Sequence, residues 1–208
     1  MALKVLGISS SPRVKGNSDM LLREALAGAE SEGGLVEYLS LNDRVIAPCV
    51  SCNACFKTGV CRVQDDYQEI FSKMLEADRL IFATPIYFMA VCAQGKQMID
   101  RCQCLWSRKY VLKEPLFESD TRYRRGMVIA VGGSKSKKMF DSIRMTMKYY
   151  FDVLDVNYCI NLFVNKVDDK GDVLKYPRAM LEAGRLGMRL VTDEGPTPEE
   201  PEDVELYQ

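Results

Sequence analysis

Along the chain, short continuous apolar runs alternate with segments whose apolar residues recur every three or four positions. The runs "LKVLGIS", "LVEYLSL", "DRLIFATP", "RGMVIAVGG" and "LDVNYCINLFV" have strand length. The third and fourth lack polar alternation, as central strands covered on both faces should. Between the first two, "NSDMLLREALAGAESEGG" puts Leu22, Ala25, Leu26 and Ala29 on one helical face. Cap-type Asn17 and Ser18 stand at its start, Asp19 in its first turn and two glycines at its end. The same spacing predicts helices over 65–77, 94–109 (Met98, Cys102, Leu105 and Trp106 on one face), 134–151 (Ile143 and Met147) and 176–191. Five strands with crossover helices predict an α/β protein with an open doubly wound parallel sheet, in which ligands bind beyond the carboxyl ends of the strands.

The length of 208 residues, 47% of them apolar, suits one domain over residues 1–192. Residues 193–208, "DEGPTPEEPEDVELYQ", carry seven acids, three prolines and no base, which predicts a disordered tail. Removing those seven from the chain's 29 acids leaves 22 against 28 Lys and Arg, a body of net charge +6. No aromatic-interleaved basic run points to nucleic acid. The longest apolar stretch, "LIFATPIYFMAVCA", contains Pro85 and is too short for a membrane span. With no secretory leader legible, a cytoplasmic protein with reduced cysteines is expected. The chain has no histidine, which excludes Ser-His and Cys-His nucleophile systems, His-ligated zinc and Rieske centres.

The loops after strands one, three and four carry the chemistry. "SSSPRVKGNS" opens a helix whose free N–H groups favour a phosphate, with Ser9, Ser11, Asn17 and Ser18 as neutral donors and Arg13 as an added charge. Neither a nucleoside triphosphate loop nor a dinucleotide glycine fingerprint is present. "TPIYFMA" offers Tyr87 and Phe88 at a strand end, where a flat ring system would cover them, with filling of the core as the other reading. In "GGSKS", Gly132 and Gly133 allow close approach of the backbone to a ligand.

"GISSSPRVKGNSDMLLREAL", "CVSCNACFKTGVCRVQDDYQEI", "ADRLIFATPIYFMAV" and "KQMIDR" together resemble the flavodoxin-like NAD(P)H-dependent FMN reductase family, and the cysteine loop resembles its iron-sulfur flavoprotein branch. The resemblance implies a flavodoxin-like sheet of order 2-1-3-4-5 and an FMN site. Ser9, Ser11, Arg13, Asn17 and Ser18 would hold the phosphate, Pro85, Ile86, Tyr87 and Phe88 would flank the isoalloxazine ring, and Gly132, Gly133 and Ser134 would close its far side. It further implies a homodimer or homotetramer in which the cluster of one subunit faces the FMN of another.

The loop 48–61, "PCVSCNACFKTGVC", spaces its cysteines as Cys49-x2-Cys52-x2-Cys55-x5-Cys61. Such steps turn successive thiolates into one volume and can meet the corners of a 4Fe-4S cubane. Small Ser51, Asn53 and Ala54 and flexible Gly59 suit a loop wrapped around a ligand. A four-thiolate zinc and an empty loop are the competing readings. Cys92, Cys102, Cys104 and Cys159 fall in strand or helix patterns and are expected in the core.

These features predict an FMN-dependent oxidoreductase that carries electrons from ferredoxin or NAD(P)H to a small-molecule two-electron acceptor. An NAD(P)H-dependent FMN or quinone reductase without a cluster, and a non-enzymatic redox sensor or electron shuttle, are the alternatives. "TRYRRG", residues 121–126, offers arginines to the 2′-phosphate of NADPH, with a solvated loop as the plainer reading.

Overall fold

The computed structural model describes residues 2–118, 121 and 123–206. Strands β1 (Lys4–Ser9), β2 (Leu35–Ser40), β3 (Arg79–Tyr87), β5 (Arg125–Val131) and β6 (Asn157–Val164) form the five-stranded parallel core, ordered β2-β1-β3-β5-β6. This is the predicted 2-1-3-4-5 order. Two strands were not foreseen. β4 (Ala90–Val91) folds back antiparallel on the end of β3, and β7 (Glu202–Leu206) adds a parallel edge beside β6.

Apolar runs became strands because the pleat sends alternate residues to two cores. On β3, Leu80 and Phe82 face one core while Ile81 and Ala83 face the other; on β5, Val128 and Ala130 oppose Met127, Ile129 and Val131. Helices α3 (Tyr67–Glu76), α4 (Ala93–Arg101), α5 (Gln103–Trp106) and α6 (Asp141–Val153) cover the first face, and α1 (Asn17–Ser31) and α7 (Pro177–Thr192) the second. A short helix, α2 (Cys55–Thr58), lies within the cysteine loop. The backbones of α1 and α7 touch: a Cβ on Gly28 would meet the Gly184 carbonyl at 2.1 Å, and one on Gly187 the Ala25 carbonyl at 1.9 Å.

The helix predicted over 94–109 breaks at Cys102. It continues as α5 and then a wide π turn over Ser107–Leu112, a geometry often found near functional sites. The break leaves Trp106 half exposed, beside Phe56 with ring centres 6.0 Å apart, rather than in the core.

The acidic tail is also a correction. Composition predicts disorder, but Glu202–Leu206 is an edge strand because its acids meet the excess bases of the body. Arg144 reaches Asp203 and Glu205 at 2.7 Å each, and Arg189 reaches Glu202 at 2.7 Å.

At the amino ends of the strands, buried arginines meet the carboxyl ends of helices, where carbonyls lack partners and the dipole is negative. Arg124 donates to Met74 O (2.7 Å) and Ala77 O (3.0 Å) at the end of α3, and to Leu154 O at the end of α6. Arg79 donates to Leu190 O of α7 at 2.6 Å, and Arg125 to Asp193 and Gly195. The arginine-rich stretch 121–126 therefore lies at the opposite end of the sheet from the ligand crevice. Arg124 and Arg125 are buried, which removes them from any role toward a nucleotide phosphate; Arg122 lies outside the described residues.

Candidate functional site

β1 lies between β2 and β3, so the winding reverses there and a crevice opens beyond the carboxyl ends of β1 and β3. Ser11, Arg13, Gly16, Asn17 and Ser18 line one wall of a cavity at this point, and Pro85, Ile86 and Tyr87 another. Val131, Gly132 and Gly133 from the end of β5 close it, with Val167 and Asp168 from the loop after β6. The loops predicted to form one site thus converge. A fourth loop, after β6, was missed, although "VDDKGD" follows a strand at the same end of the sheet.

The predicted phosphate donors differ in their freedom. The Ser11 hydroxyl is engaged with its own loop, accepting from Arg13 N–H and donating to Arg13 O, both at 3.1 Å. Ser9 ends β1, buried near Tyr38 and outside the cavity lining. Asn17 does not cap α1. Gly16 precedes the helix, and the Asn17 amide instead donates to Asp169 O (2.8 Å) and accepts from Gly171 and Val173 N–H, tying the missed loop to α1. Arg13 spans the same gap, donating to Asp168 O at 2.8 Å.

Ser18 is different. It is 2% exposed, and its hydroxyl has no hydrogen-bond partner among the described residues. It stands in the first turn of α1, where the backbone N–H groups have no intrahelical acceptor. A buried unsatisfied hydroxyl at a positive helix end is a place prepared for an anion.

The wall from β3 ends in a tight hairpin. Ile86 pairs with Val91 and Tyr87 with Ala90, leaving Phe88 and Met89 as a two-residue turn with φ of +48° and +62°. Left-handed backbone at two non-glycine residues stores strain of roughly 1–3 kcal/mol each. Tyr87 and Met89 are exposed and Phe88 wholly so; Phe88 stands outside the lining, as does Ser134. At Gly132 and Gly133 a Cβ would meet Met139 Sδ at 2.7 Å and Asp168 Cγ at 2.9 Å respectively, so a side chain at either position would have to displace these neighbours.

Cys49, Cys52, Cys55 and Cys61 line a second cavity, of about 370 Å³. Ser51 and Asn53 have φ of +50° and +55°, and Gly59 +67°, so this loop winds through left-handed positions that small residues tolerate best. Burial pushes the Cys55 thiol pKa up, and the Cys61, Cys49 and Cys52 sulfurs push it further, although its own backbone bond opposes them. The floor is α5, whose Cys104 also lines the cavity and has its sulfur 3.9 Å from Tyr67 Oη. Tyr67 donates to Cys102 at 3.4 Å; burial pushes Cys102 up to about 12, and its thiol is inert. The four cysteines expected in the core are all buried, Cys104 serving as cavity wall as well. Among the described residues no three Cys, Asp or Glu side chains converge on one ion; the four cysteines share the lining of the larger cavity.

Arg101, missed by sequence reasoning, stands at this cavity with its side chain wholly buried. Burial lowers its pKa, but Asp65 and Cys61 hold it raised overall. Burial likewise pushes Asp65 up, while Arg101 and the Ala47 and Tyr67 N–H groups hold it below the usual carboxylate range.

A family model described as NADPH-dependent FMN reductase matches residues 3–161. An iron-sulfur flavoprotein of Methanocaldococcus jannaschii is 37% identical over 148 residues, 71% of this chain and 72% of that one. Among solved structures, the Trp repressor binding protein of Bacillus subtilis is 28% identical with a TM-score of 0.60, covering 88% of this chain and 99% of its own. The NAD(P)H:quinone oxidoreductase of Methanothermobacter marburgensis, at 17% identity, shares the fold with a TM-score of 0.67 over 94% of this chain and 100% of its own.

Proposed function

The chain belongs to the NADPH-dependent FMN reductase family, in its iron-sulfur flavoprotein branch, and from that premise we propose an electron converter in which FMN occupies the crevice and a 4Fe-4S cluster the cysteine cavity. It is a flavin-dependent oxidoreductase. FMN supplies the exchange of one or two electrons when bound, and a cluster supplies single-electron relay. The protein's part is binding and orientation.

The orphaned Ser18 hydroxyl carries the flavin assignment: it and the free N–H groups of α1 hold the phosphate as neutral and dipolar donors. Arg13 stands beside them at the mouth. Pro85, Ile86 and Tyr87 flank the ring, with Phe88 exposed at the adjacent turn. Gly132 and Gly133 let the far wall come close. No acid–base side chain is needed, in keeping with a chain that has no histidine. Cys49, Cys52, Cys55 and Cys61 hold the cluster, and the width of their cavity suits a body larger than one ion.

The donor in this reading is ferredoxin or NAD(P)H and the acceptor a small molecule. A homodimer or homotetramer belongs to it as well, since Tyr87, Phe88 and Met89 expose an apolar tip that a hydrogen bond from Ser142 to Met89 O ties to α6, a helix that also exposes Met145 and Tyr149. Among the described residues no helix is long and apolar enough to cross a membrane.

The test is protein purified without oxygen, with its absorption spectrum, FMN and iron measured on one sample. Flavin bands over a broad brown absorption, with about four irons per chain, are expected. Flavin without iron would leave an NAD(P)H-dependent reductase with an empty cysteine loop.

A further inference from the structure

The cysteine loop is closed at its base by one ion pair. Arg101 Nη1 donates to Asp65 Oδ2 at 2.6 Å and to Ala47 O at 2.9 Å, and Nη2 donates to Val63 O at 3.0 Å. Ala47 N–H returns to the same Asp65 oxygen at 2.8 Å. Ala47 and Val63 bracket the segment 48–61, so a single guanidinium and its carboxylate hold both ends of the loop that bears the four cysteines. The guanidinium carbon lies 4.6 Å from the centre of the Tyr67 ring, which fixes its plane.

One donor is left over. Arg101 Nε is buried and has no hydrogen-bond partner among the described residues, while its side chain forms part of the cavity wall with Cys61. An unsatisfied charged N–H in a protein interior is among the more unfavourable arrangements a fold can carry. It is understandable where an acceptor arrives after folding. A thiolate-held iron-sulfur cluster is anionic, and its sulfurs accept hydrogen bonds that adjust its reduction potential.

We infer that Arg101 is the positioning residue that sets the electron affinity of the cluster, its Nε–H donating to a cluster sulfur and its charge favouring the reduced state. The inference rests on the cluster reading given above. A buried cation beside a group that becomes more negative on reduction raises the potential, whereas the Asp65 carboxylate, bound to that cation, lowers it. The two partners of one ion pair therefore act with opposite sign on the potential, although both strengthen the loop.

That difference separates an electrostatic role from a mechanical one. Wild type, R101Q, R101K and D65N are reconstituted with iron and sulfide without oxygen, iron per chain is counted, and the cluster's midpoint potential is read by redox titration followed by electron paramagnetic resonance. R101Q is expected to disfavour reduction at least tenfold, equivalent to about 59 mV for a one-electron couple. D65N is expected to shift it the other way, and R101K, which keeps the charge, to recover part of the loss. Potentials that ignore both substitutions, or move in the same direction in R101Q and D65N, would overturn the inference. So would two iron-free variants, which would make the pair a buckle and nothing more. If R101Q alone fails to load, D65N decides: a potential unchanged or lowered overturns it. A wild type that takes up no iron fails the cluster reading itself, and this inference with it; a loaded wild type with unresponsive potentials fails this inference alone.

Discussion

Ser11, in the loop after β1, and Ser18, in the first turn of α1, have opposite assignments in hydrogen bonding. The Ser11 hydroxyl is satisfied by Arg13 on both sides, while that of Ser18 is buried with no partner among the described residues. A hydrogen bond to a charged group contributes about 1.5–3 kcal/mol, and each 1.4 kcal/mol is tenfold in affinity. Ser18→Ala should therefore weaken FMN binding roughly tenfold to hundredfold, measured by fluorescence titration, without lowering the thermal midpoint of the apoprotein. Ser11→Ala should do the reverse, lowering the midpoint while affecting affinity less. A Ser18→Ala protein that binds FMN normally but melts early would mean the hydroxyl serves the fold. The strained turn at Phe88 and Met89 has the same logic, since backbone in the left-handed region is kept at a site where it presents side chains outward.

At the scale of elements, the edge strand β7 shows how charge replaces apolar burial. Its sequence is mostly acidic, and its neighbours supply the counter-charges: Arg144 lies 4.7 Å from the centre of the Phe163 ring and bonds Asp203 and Glu205. Only Leu206 is buried. Half-exposed pairs of this kind contribute little each, on the order of 1 kcal/mol or below. Arg144→Met should thus speed amide hydrogen exchange over 202–206 by up to about tenfold, with β6 unaffected. Raising salt should move the wild type toward the same rates. Exchange in β7 that is insensitive to both would mean that backbone pairing with β6 suffices.

The whole molecule is polar along the strand direction. The positive end of α1 opens at the ligand crevice, while the negative ends of α3, α6 and α7 gather at the opposite end of the sheet, where Arg124 and Arg79 neutralise them. Burial lowers the pKa of both arginines, and among the described residues the Arg124 acceptors are backbone carbonyls. Arg124→Met would leave three buried carbonyls without donors, at about 1–3 kcal/mol each. A loss of at least about 3 kcal/mol corresponds to a thermal midpoint roughly 6–12 °C lower for a domain of this size. FMN affinity should be retained, because the crevice lies at the other end. An unchanged midpoint would show that water reaches these carbonyls.

The order of the central strands came from the family resemblance, whereas the sequence by itself determined the α/β class, the five central strands, the convergence of three loops on one crevice and the clustering of four cysteines. These follow from local period and spacing, which strands and short loops obey without reference to the rest of the chain. Tertiary structure alone decided that Asn17 would tie down the loop after β6 instead of capping α1, that Ser18 would be left unsatisfied, and that the helix carrying Cys102 would break. It also decided that Arg101 would close the cysteine loop from a helix 36 residues away from Asp65, and that an acidic tail would become a strand. Each of these depends on which distant residue supplies a charge or a hydrogen bond, and such pairings leave no periodic trace in the chain.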